Sequence, residues 1–192
     1  MSGDIGGLWN YTEKTPDQDR KHASVYKSCS INTSKEMMAF SDFPIPVDFP
    51  PFMPHNKVQE YFRMYATHFD LLKHIQFNTK VVAVRQTANH SITGQWEVTV
   101  QTTRKLISDT EADQEMTETN TSIFDGVMVC SGHHRYPHMP VMEGMSRFKG
   151  KVMHSSEYKA QKVFDDKKVL VVGKLALHSL IANKIKLSKC TS

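Results

Sequence analysis

The stretch from Phe148 to Gly173 limits the possible fold of this 192-residue chain more than any other. It joins the spaced pattern FxGxxxHxxxY at 148–158 to the apolar run VLVV at 169–172, which ends at Gly173. A short Val/Leu run between a charged turn and a glycine is typical of a strand buried on both faces of a parallel sheet. Such a strand often begins a dinucleotide-binding βαβ unit, so the sequence predicts an α/β fold. The glycine fingerprint GxGxxG does not continue, because Leu175 and His178 stand where it needs glycine.

Composition favours a globular chain and excludes several classes of function. Hydrophobic residues make up 39% and charged residues 23%, and the net charge of +4 is too small to indicate nucleic-acid binding. Three widely spaced cysteines predict a reducing compartment and no disulfide framework. The N-terminus does not resemble a signal peptide, and no apolar run approaches the roughly 20 residues that cross a bilayer. We therefore expect a soluble, cytoplasmic chain or a soluble part of a larger protein, without a membrane anchor in these residues.

A proline-rich segment and a helix are expected in the first half of the chain. The segment FPIPVDFPPFMP at 43–54 contains five prolines, which exclude helix and central strand and predict an extended, packed loop. A ligand for a proline-recognition domain is the functional alternative. Asn56 and Gln59 have the spacing of a capping box and predict a helix over 56–72. Its apolar face is predicted from helical spacing to comprise Val58, Tyr61, Phe62, Tyr65, Phe69 and Leu72.

Strands are expected after this helix. Residues 75–81 and 96–100 alternate in hydrophobicity on either side of a turn around Gly94, and Ile123 to Cys130 predicts a further strand that closes at Gly132. The charged residues from Arg104 to Glu118 predict a solvated loop or hairpin tip. This order predicts an α/β nucleotide domain with an inserted antiparallel β-meander.

The 148–158 pattern and the following VLVVG resemble the signature of the flavin-containing monooxygenases. Further segments match that family in order: DIGGLW at 4–9, YKS with NTSKEMM within 26–38, SDFPIP at 41–46, EYFRMYATHFDLLKHIQF at 60–77, GQWEVT at 94–99 and FDGVMVCSGHH at 124–134. The resemblance implies a partial FAD/NAD(P)-binding Rossmann-like domain of three layers. Residues 1–150 would be an incomplete FAD-binding domain without its first βαβ unit. Residues 151–173 would hold the signature, a linker and the first strand of an NADP-binding domain, and 174–192 a divergent tail.

The same resemblance implies an activity. Family members use FAD, NADPH and O2 to oxygenate soft nitrogen or sulfur nucleophiles, such as N,N-dimethylaniline, through a flavin hydroperoxide. Microsomal members are located at the endoplasmic reticulum membrane. Because both glycine fingerprints are missing or broken, we expect this chain to be a truncated isoform with impaired activity.

The resemblance also implies a set of site residues. Leu8 and Trp9 would line the flavin, and Asn32 and Thr33 would lie close to its isoalloxazine ring. Asn32 would be the catalytic residue and would lie beside the nicotinamide with Ile31, since an amide offers a donor and an acceptor without a charge. Without the resemblance, the favoured explanation of Asn32 is a side chain that ties down an irregular turn. The expected cofactor-binding residues are Gly6, Gly7, Leu8, Trp9, Ile31, Asn32 and Thr33, and no metal ligand is among them.

Two alternatives remain open. The chain could be a non-catalytic remnant that serves at most as a binding scaffold. It could also be a metal module, because Cys130, His133, His134 and His138 lie close together in sequence, but adjacent histidines point apart in extended chain and no CxxC pair supports zinc. For His154 we expect a structural role and no role as a general base.

Overall fold

The computed structural model describes residues 3–13, 25–106, 114–132 and 136–172. The chain divides into two compact units. We call Met1–Ile5 with Ala66–His133 the sheet unit, and Gly6–Tyr65 with His134–Ser192 the helix unit. Each unit is described by itself.

Helix α1 of the helix unit spans Lys35–Met38, and the longer α2 spans His55–His68. The core of the unit is a cluster of buried side chains from the loop before α2 and from α2 itself: Ile31, Ile45, Phe49, Met53, Val58 and Tyr61. The proline-rich segment forms the extended packed loop that was predicted, since Ile45, Phe49 and Met53 are buried.

Helix α2 differs from the prediction at both ends. It begins at His55, so Asn56 lies inside the first turn, and the Gln59 side chain is buried. The predicted apolar residues Phe69 and Leu72 lie beyond the helix and are 39% and 44% exposed. The helix ends early because Asp70 adopts a left-handed conformation with φ 51°, and the Leu71 amide returns to the Ala66 carbonyl at 2.8 Å.

The sheet unit contains the predicted β-meander. Strands β1 (Thr79–Gln86), β2 (Trp96–Leu106) and β3 (Gln114–Phe124) form an antiparallel sheet in the order β1-β2-β3. The short helix α3 (His90–Thr93) connects β1 to β2 and ends at Gly94, whose φ of 73° confirms the predicted turn there. Cross-strand pairing fixes the register through Trp96, which lies opposite Gln86 on β1 and Phe124 on β3.

The bounds of these strands correct several predictions. The first strand begins at Thr79 and not at Ile75, because a 3₁₀ turn at Leu72–His74 and a left-handed Asn78 precede it. Strands β2 and β3 extend into the segment predicted as a charged loop, and the hairpin tip at 107–113 lies outside the described residues.

One predicted strand, at 169–172, is absent from the described residues, and of the strand predicted over Ile123–Cys130 only Ile123 and Phe124 are present, as the end of β3. Residues 125–132 follow β3 in irregular conformation, with Met128 and Val129 more than 80% exposed. Residues 169–172 are also irregular, and Leu170 is 71% exposed. A strand buried on both faces needs neighbouring strands and covering helices, and the described part of the chain supplies neither for these runs. The chain is therefore a mixed α/β structure whose regular sheet is the antiparallel meander.

Candidate functional site

The DIGGLW segment forms a tight turn that depends on two glycines. Gly6 and Gly7 have φ values of 101° and 49°, and a 3₁₀ turn spans Gly7–Trp9. The Trp9 amide donates to the Gly6 carbonyl at 2.9 Å. A Cβ atom at residue 6 would lie 1.8 Å from Oε1 of Gln59, so the backbone here passes directly against a side chain of α2. The glycine pair thus allows a left-handed turn, and Gly6 also lets the backbone approach the Gln59 side chain closely.

The two residues after the glycines have different environments. Leu8 is 43% exposed, and its carbonyl accepts a hydrogen bond from the Val25 amide at 3.0 Å. Trp9 is half-buried and packs against the core cluster that contains Ile31. The turn therefore presents Leu8 to solvent and anchors itself in the core through Trp9.

The segment around Asn32 runs beside the end of the proline-rich loop. The buried Ile31 donates its amide hydrogen to the Met53 carbonyl at 2.9 Å, and the Lys35 amide donates to the Pro51 carbonyl at 2.7 Å. Asn32 and Thr33 lie between these two attachments, and both are exposed. Their amide and hydroxyl groups are therefore held at the surface of the helix unit on a fixed backbone.

All seven predicted site residues lie in the helix unit. Trp9 and Ile31 belong to one core cluster, whereas the exposed residues of the set are Gly7, Leu8, Asn32 and Thr33. An apolar side chain, an uncharged amide and a hydroxyl are groups that suit a flat ring with a polar edge.

A flavin dinucleotide also needs a pyrophosphate site, usually backbone N–H groups of a glycine turn at a helix N-terminus. Among the described residues, the helices α1, α2 and α3 directly follow Ser34, Pro54 and Asn89, and none of them follows a glycine. The side-chain chemistry of the exposed residues suits the ring of such a cofactor, and no α-helix in the described residues begins at a glycine turn of the kind that holds a pyrophosphate.

His154 of the signature pattern caps a short turn. A 3₁₀ turn spans Ser155–Glu157, and Nδ1 of His154 accepts a hydrogen bond from the Ser156 amide at 3.2 Å. In return, the His154 amide donates to Oε1 of Glu157 at 3.2 Å. This reciprocal capping box gives His154 the structural position expected from the sequence. That it is no general base stays a prediction.

Tyr158 completes the pattern from inside a second core cluster. It is 4% exposed, and its ring lies 5.2 Å from that of Tyr26, measured between centroids. The Lys27 amide, next to Tyr26, donates to the Lys159 carbonyl at 2.8 Å. Burial raises the pKa of Tyr158 and also that of the nearby Cys29 thiol. The signature is therefore packed onto the segment that precedes Asn32.

Sequence reasoning missed the packing residues Tyr26 and Cys29 and the role of Lys35. Tyr26 and Lys35 lie within the family match that was recognised, but their contacts connect segments more than ten residues apart, which periodicity does not reveal. For the metal alternative, no group of three or more His, Cys, Asp or Glu in the described ranges could hold an ion. His133 and His134 lie outside those ranges.

Comparison with known proteins defines the class. The family described as flavin-binding monooxygenase-like matches residues 1–190, so the match includes most of the segment after Gly173. The chain belongs to this family. Flavin binding is the family's defining property, and the fold agrees with a partial FAD-binding, Rossmann-like domain. No described helix is long and apolar enough to cross a membrane.

Individual relatives show how similar the chain is to particular monooxygenases. The chain is 49% identical over 174 residues to flavin-containing monooxygenase 5 of Rattus norvegicus, which covers 90% of this chain and 30% of that protein. It is 48% identical over 172 residues to dimethylaniline monooxygenase [N-oxide-forming] 2 of Cavia porcellus, with 88% and 29% covered. The solved structure of S-allyl-L-cysteine S-oxygenase from Allium sativum matches with a TM-score of 0.64 and 28% identity, covering 84% of this chain and 36% of that one. The chain thus spans about 30% of the length of the curated relatives it matches.

Proposed function

We propose that this chain is part of a flavin-dependent monooxygenase that uses NADPH and O2 to oxygenate a soft nitrogen or sulfur nucleophile. The observation that carries the proposal is the placement of exposed Asn32 and Thr33 between two backbone attachments, on the unit whose core holds Trp9 and Ile31. The substrate class is supported by the names of the relatives, one of which forms N-oxides and another S-oxygenates a cysteine derivative. A small amine or sulfide is the proposed substrate.

Each site residue has a proposed role. Leu8 and Trp9 form the apolar wall beside the flavin ring, and Asn32 and Thr33 face its polar edge. Asn32 is proposed as the catalytic residue because its uncharged amide donates and accepts hydrogen bonds without drawing water into an apolar site. Ile31 fixes the position of Asn32 through its buried side chain and its bond to Met53.

The roles can be tested in a full-length member of the family that carries asparagine at the position matching Asn32. Asparagine to alanine should lower the yield of oxygenated product per NADPH consumed by about tenfold or more, because a positioned hydrogen-bond donor is lost. A matched control is alanine at the position of Met37, which is 81% exposed here. Unchanged product yield in the first variant would remove Asn32 from the catalytic site.

We further propose that residues 1–192 by themselves are an impaired form. The proposed contacts are with the flavin ring alone, and no α-helix in the described residues begins at a glycine turn, so riboflavin and FAD should bind equally weakly. The purified chain should be colourless and should consume no NADPH above blank when dimethylaniline is added. A yellow preparation, or FAD binding much tighter than riboflavin, would contradict this and make the chain itself a flavoprotein.

The second candidate function is a non-catalytic scaffold, favoured by the same lack of a glycine turn at the start of any α-helix in the described residues. Failure to bind riboflavin as well as FAD would support it. For location we propose the endoplasmic reticulum membrane, as for the microsomal members of the family. Fractionation of cells that produce the natural protein, with detection in the microsomal or the soluble fraction, tests that proposal.

A further inference from the structure

The ammonium group of Lys35 is surrounded by backbone carbonyl oxygens of the proline-rich loop. Its Nζ donates to the carbonyls of Pro46 at 3.1 Å, Val47 at 2.8 Å and Phe49 at 2.7 Å. The three acceptors come from one turn of the loop, 11 to 14 residues further along the chain. A lysine that usually extends into solvent is here directed onto peptide backbone.

The number of partners matches the chemistry of the group. An ammonium carries three N–H donors, and three carbonyls accept from it. Hydrogen bonds from a charged donor are shorter and stronger than neutral ones. A guanidinium could not replace it, because its planar fork cannot direct three bonds onto acceptors that converge on one point. The site is therefore specific for an ammonium group.

Lys35 is attached to the proline-rich loop through its side chain and also through its backbone. Besides the side-chain contacts, its backbone amide donates to the Pro51 carbonyl at 2.7 Å. On the other side of Asn32 and Thr33, the Ile31 amide donates to the Met53 carbonyl at 2.9 Å. Asn32 and Thr33 thus lie in a short segment that is attached to the proline-rich loop through Ile31 on one side and through Lys35 on the other.

We propose that Lys35 is a positioning residue that holds Asn32 and Thr33 in place by clamping the proline-rich loop with its ammonium group. The importance of this placement for oxygenation rests on the proposed function, but the clamp itself does not depend on any cofactor. It can therefore be measured on the 192-residue chain without flavin, and its failure is distinct from a failure of flavin binding.

The test is amide hydrogen exchange of the full 192-residue chain with and without Lys35→Ala. Exchange of the amides of residue 35 and Phe49, which donate to the Pro51 and Pro46 carbonyls at 2.7 and 3.1 Å, should accelerate about tenfold or more, while the middle of α2 keeps its protection, because the loop opens locally. Propylammonium, which replaces the atoms removed in Lys35→Ala, should restore slow exchange at these residues. Tetramethylammonium has the same charge and no N–H donor, and it should not. A global role in stability would instead accelerate exchange in the middle of α2 as well.

The matched control is Lys57→Ala. Lys57 lies 4.4 Å from the centre of the Phe49 ring and pairs with Glu60, but none of its hydrogen bonds in the structure goes to the three carbonyls. Its removal should leave exchange of the Lys35 amide unchanged. If Lys35→Ala unfolds the chain, Lys35→Arg serves instead, and it should accelerate exchange of the amides of residue 35 and Phe49 with the core intact. Exchange at wild-type rates in Lys35→Arg, or equal effects of both amines on Lys35→Ala, would overturn the proposal.

Discussion

The ring of Phe148 lies against the α-carbon of Gly150. A Cβ atom at residue 150 would be 2.5 Å from ring atom Cζ and 2.6 Å from Cε1. The two residues that begin the FxGxxxHxxxY pattern are therefore in direct contact, and the glycine leaves room for the ring. Phe148 is nevertheless 60% exposed, so this ring can turn into solvent if it is displaced.

The two crowded glycines should respond differently to alanine. Gly150→Ala should cost less than about 1 kcal/mol, because the exposed Phe148 ring can move away. Gly6→Ala should cost roughly 2–4 kcal/mol, since it forces a left-handed alanine and a clash with the buried Gln59 side chain. Denaturant unfolding of both variants measures the difference. Equal costs would show that Gly6 is not held as the structure describes.

Tyr61→Phe should destabilise the helix unit. The Tyr61 hydroxyl is fully buried, accepts from the Phe40 amide at 2.9 Å and donates to the Phe43 carbonyl at 2.5 Å. Removing it leaves two backbone groups without this partner, at a cost of about 1–3 kcal/mol in the free energy of unfolding. Tyr65→Phe is the control, because Tyr65 is half-buried and its hydroxyl lies 3.5 Å from Oδ2 of the exposed Asp42. A loss as large in the control would contradict the assignment of the buried face.

Removing the cap at residue 154 should weaken the turn that follows it. His154→Ala should cost about 0.5–2 kcal/mol, because the Ser156 amide loses its acceptor. His154→Asn should recover part of this loss, since asparagine is also a good cap. In a full-length family member that carries the same motif, neither substitution at its histidine should abolish a limb of the pH profile of turnover. Loss of such a limb with folding intact would make the residue a general base.

The two cysteines in the described part of the chain should differ in reactivity. Burial raises the pKa of the Cys29 thiol, whereas Cys130 is exposed. Because the thiolate is the reactive form, Cys29 should react with a disulfide reagent near pH 8 much more slowly than Cys130. The experiment uses a chain in which serine replaces Cys190. Single substitutions of Cys29 and of Cys130 in that chain then show which cysteine gives each kinetic phase of the reaction. Equal rates in the folded chain would show that Cys29 is accessible.

The raised pKa of Cys29 also predicts a pH dependence of stability. The folded chain holds the thiol proton more tightly than the unfolded chain does. The contribution of this thiol to the free energy of unfolding is therefore fully present below the pKa of the unfolded thiol. It should be lost as the pH rises from about that value through the raised folded pKa. Unfolding midpoints in alkaline buffers should fall less steeply for Cys29→Ser than for wild type. Identical slopes would exclude a contribution of this thiol.

Local pattern was sufficient for the elements whose contacts are near in sequence. The alternation at 96–100 and the turn at Gly94 predicted the meander, because a hairpin pairs neighbouring strands. The run at 169–172 failed, since a buried parallel strand depends on partners that the described chain does not supply. On the predicted apolar face of α2, Val58 and Tyr61 are buried as expected. Phe69 lies beyond the end of the helix, because the left-handed Asp70 ends it early.

By itself the sequence determined the family, the meander, the packed proline-rich loop and the glycine pair of the DIGGLW turn, because these depend on residue identity and short spacing. Only the tertiary structure decided how the site is supported. That the Lys35 ammonium bonds three carbonyls of a distant turn, and that Tyr158 packs on Tyr26, follows from packing between segments far apart in the chain. Such contacts depend on shape and on paired donors and acceptors, which no local period encodes.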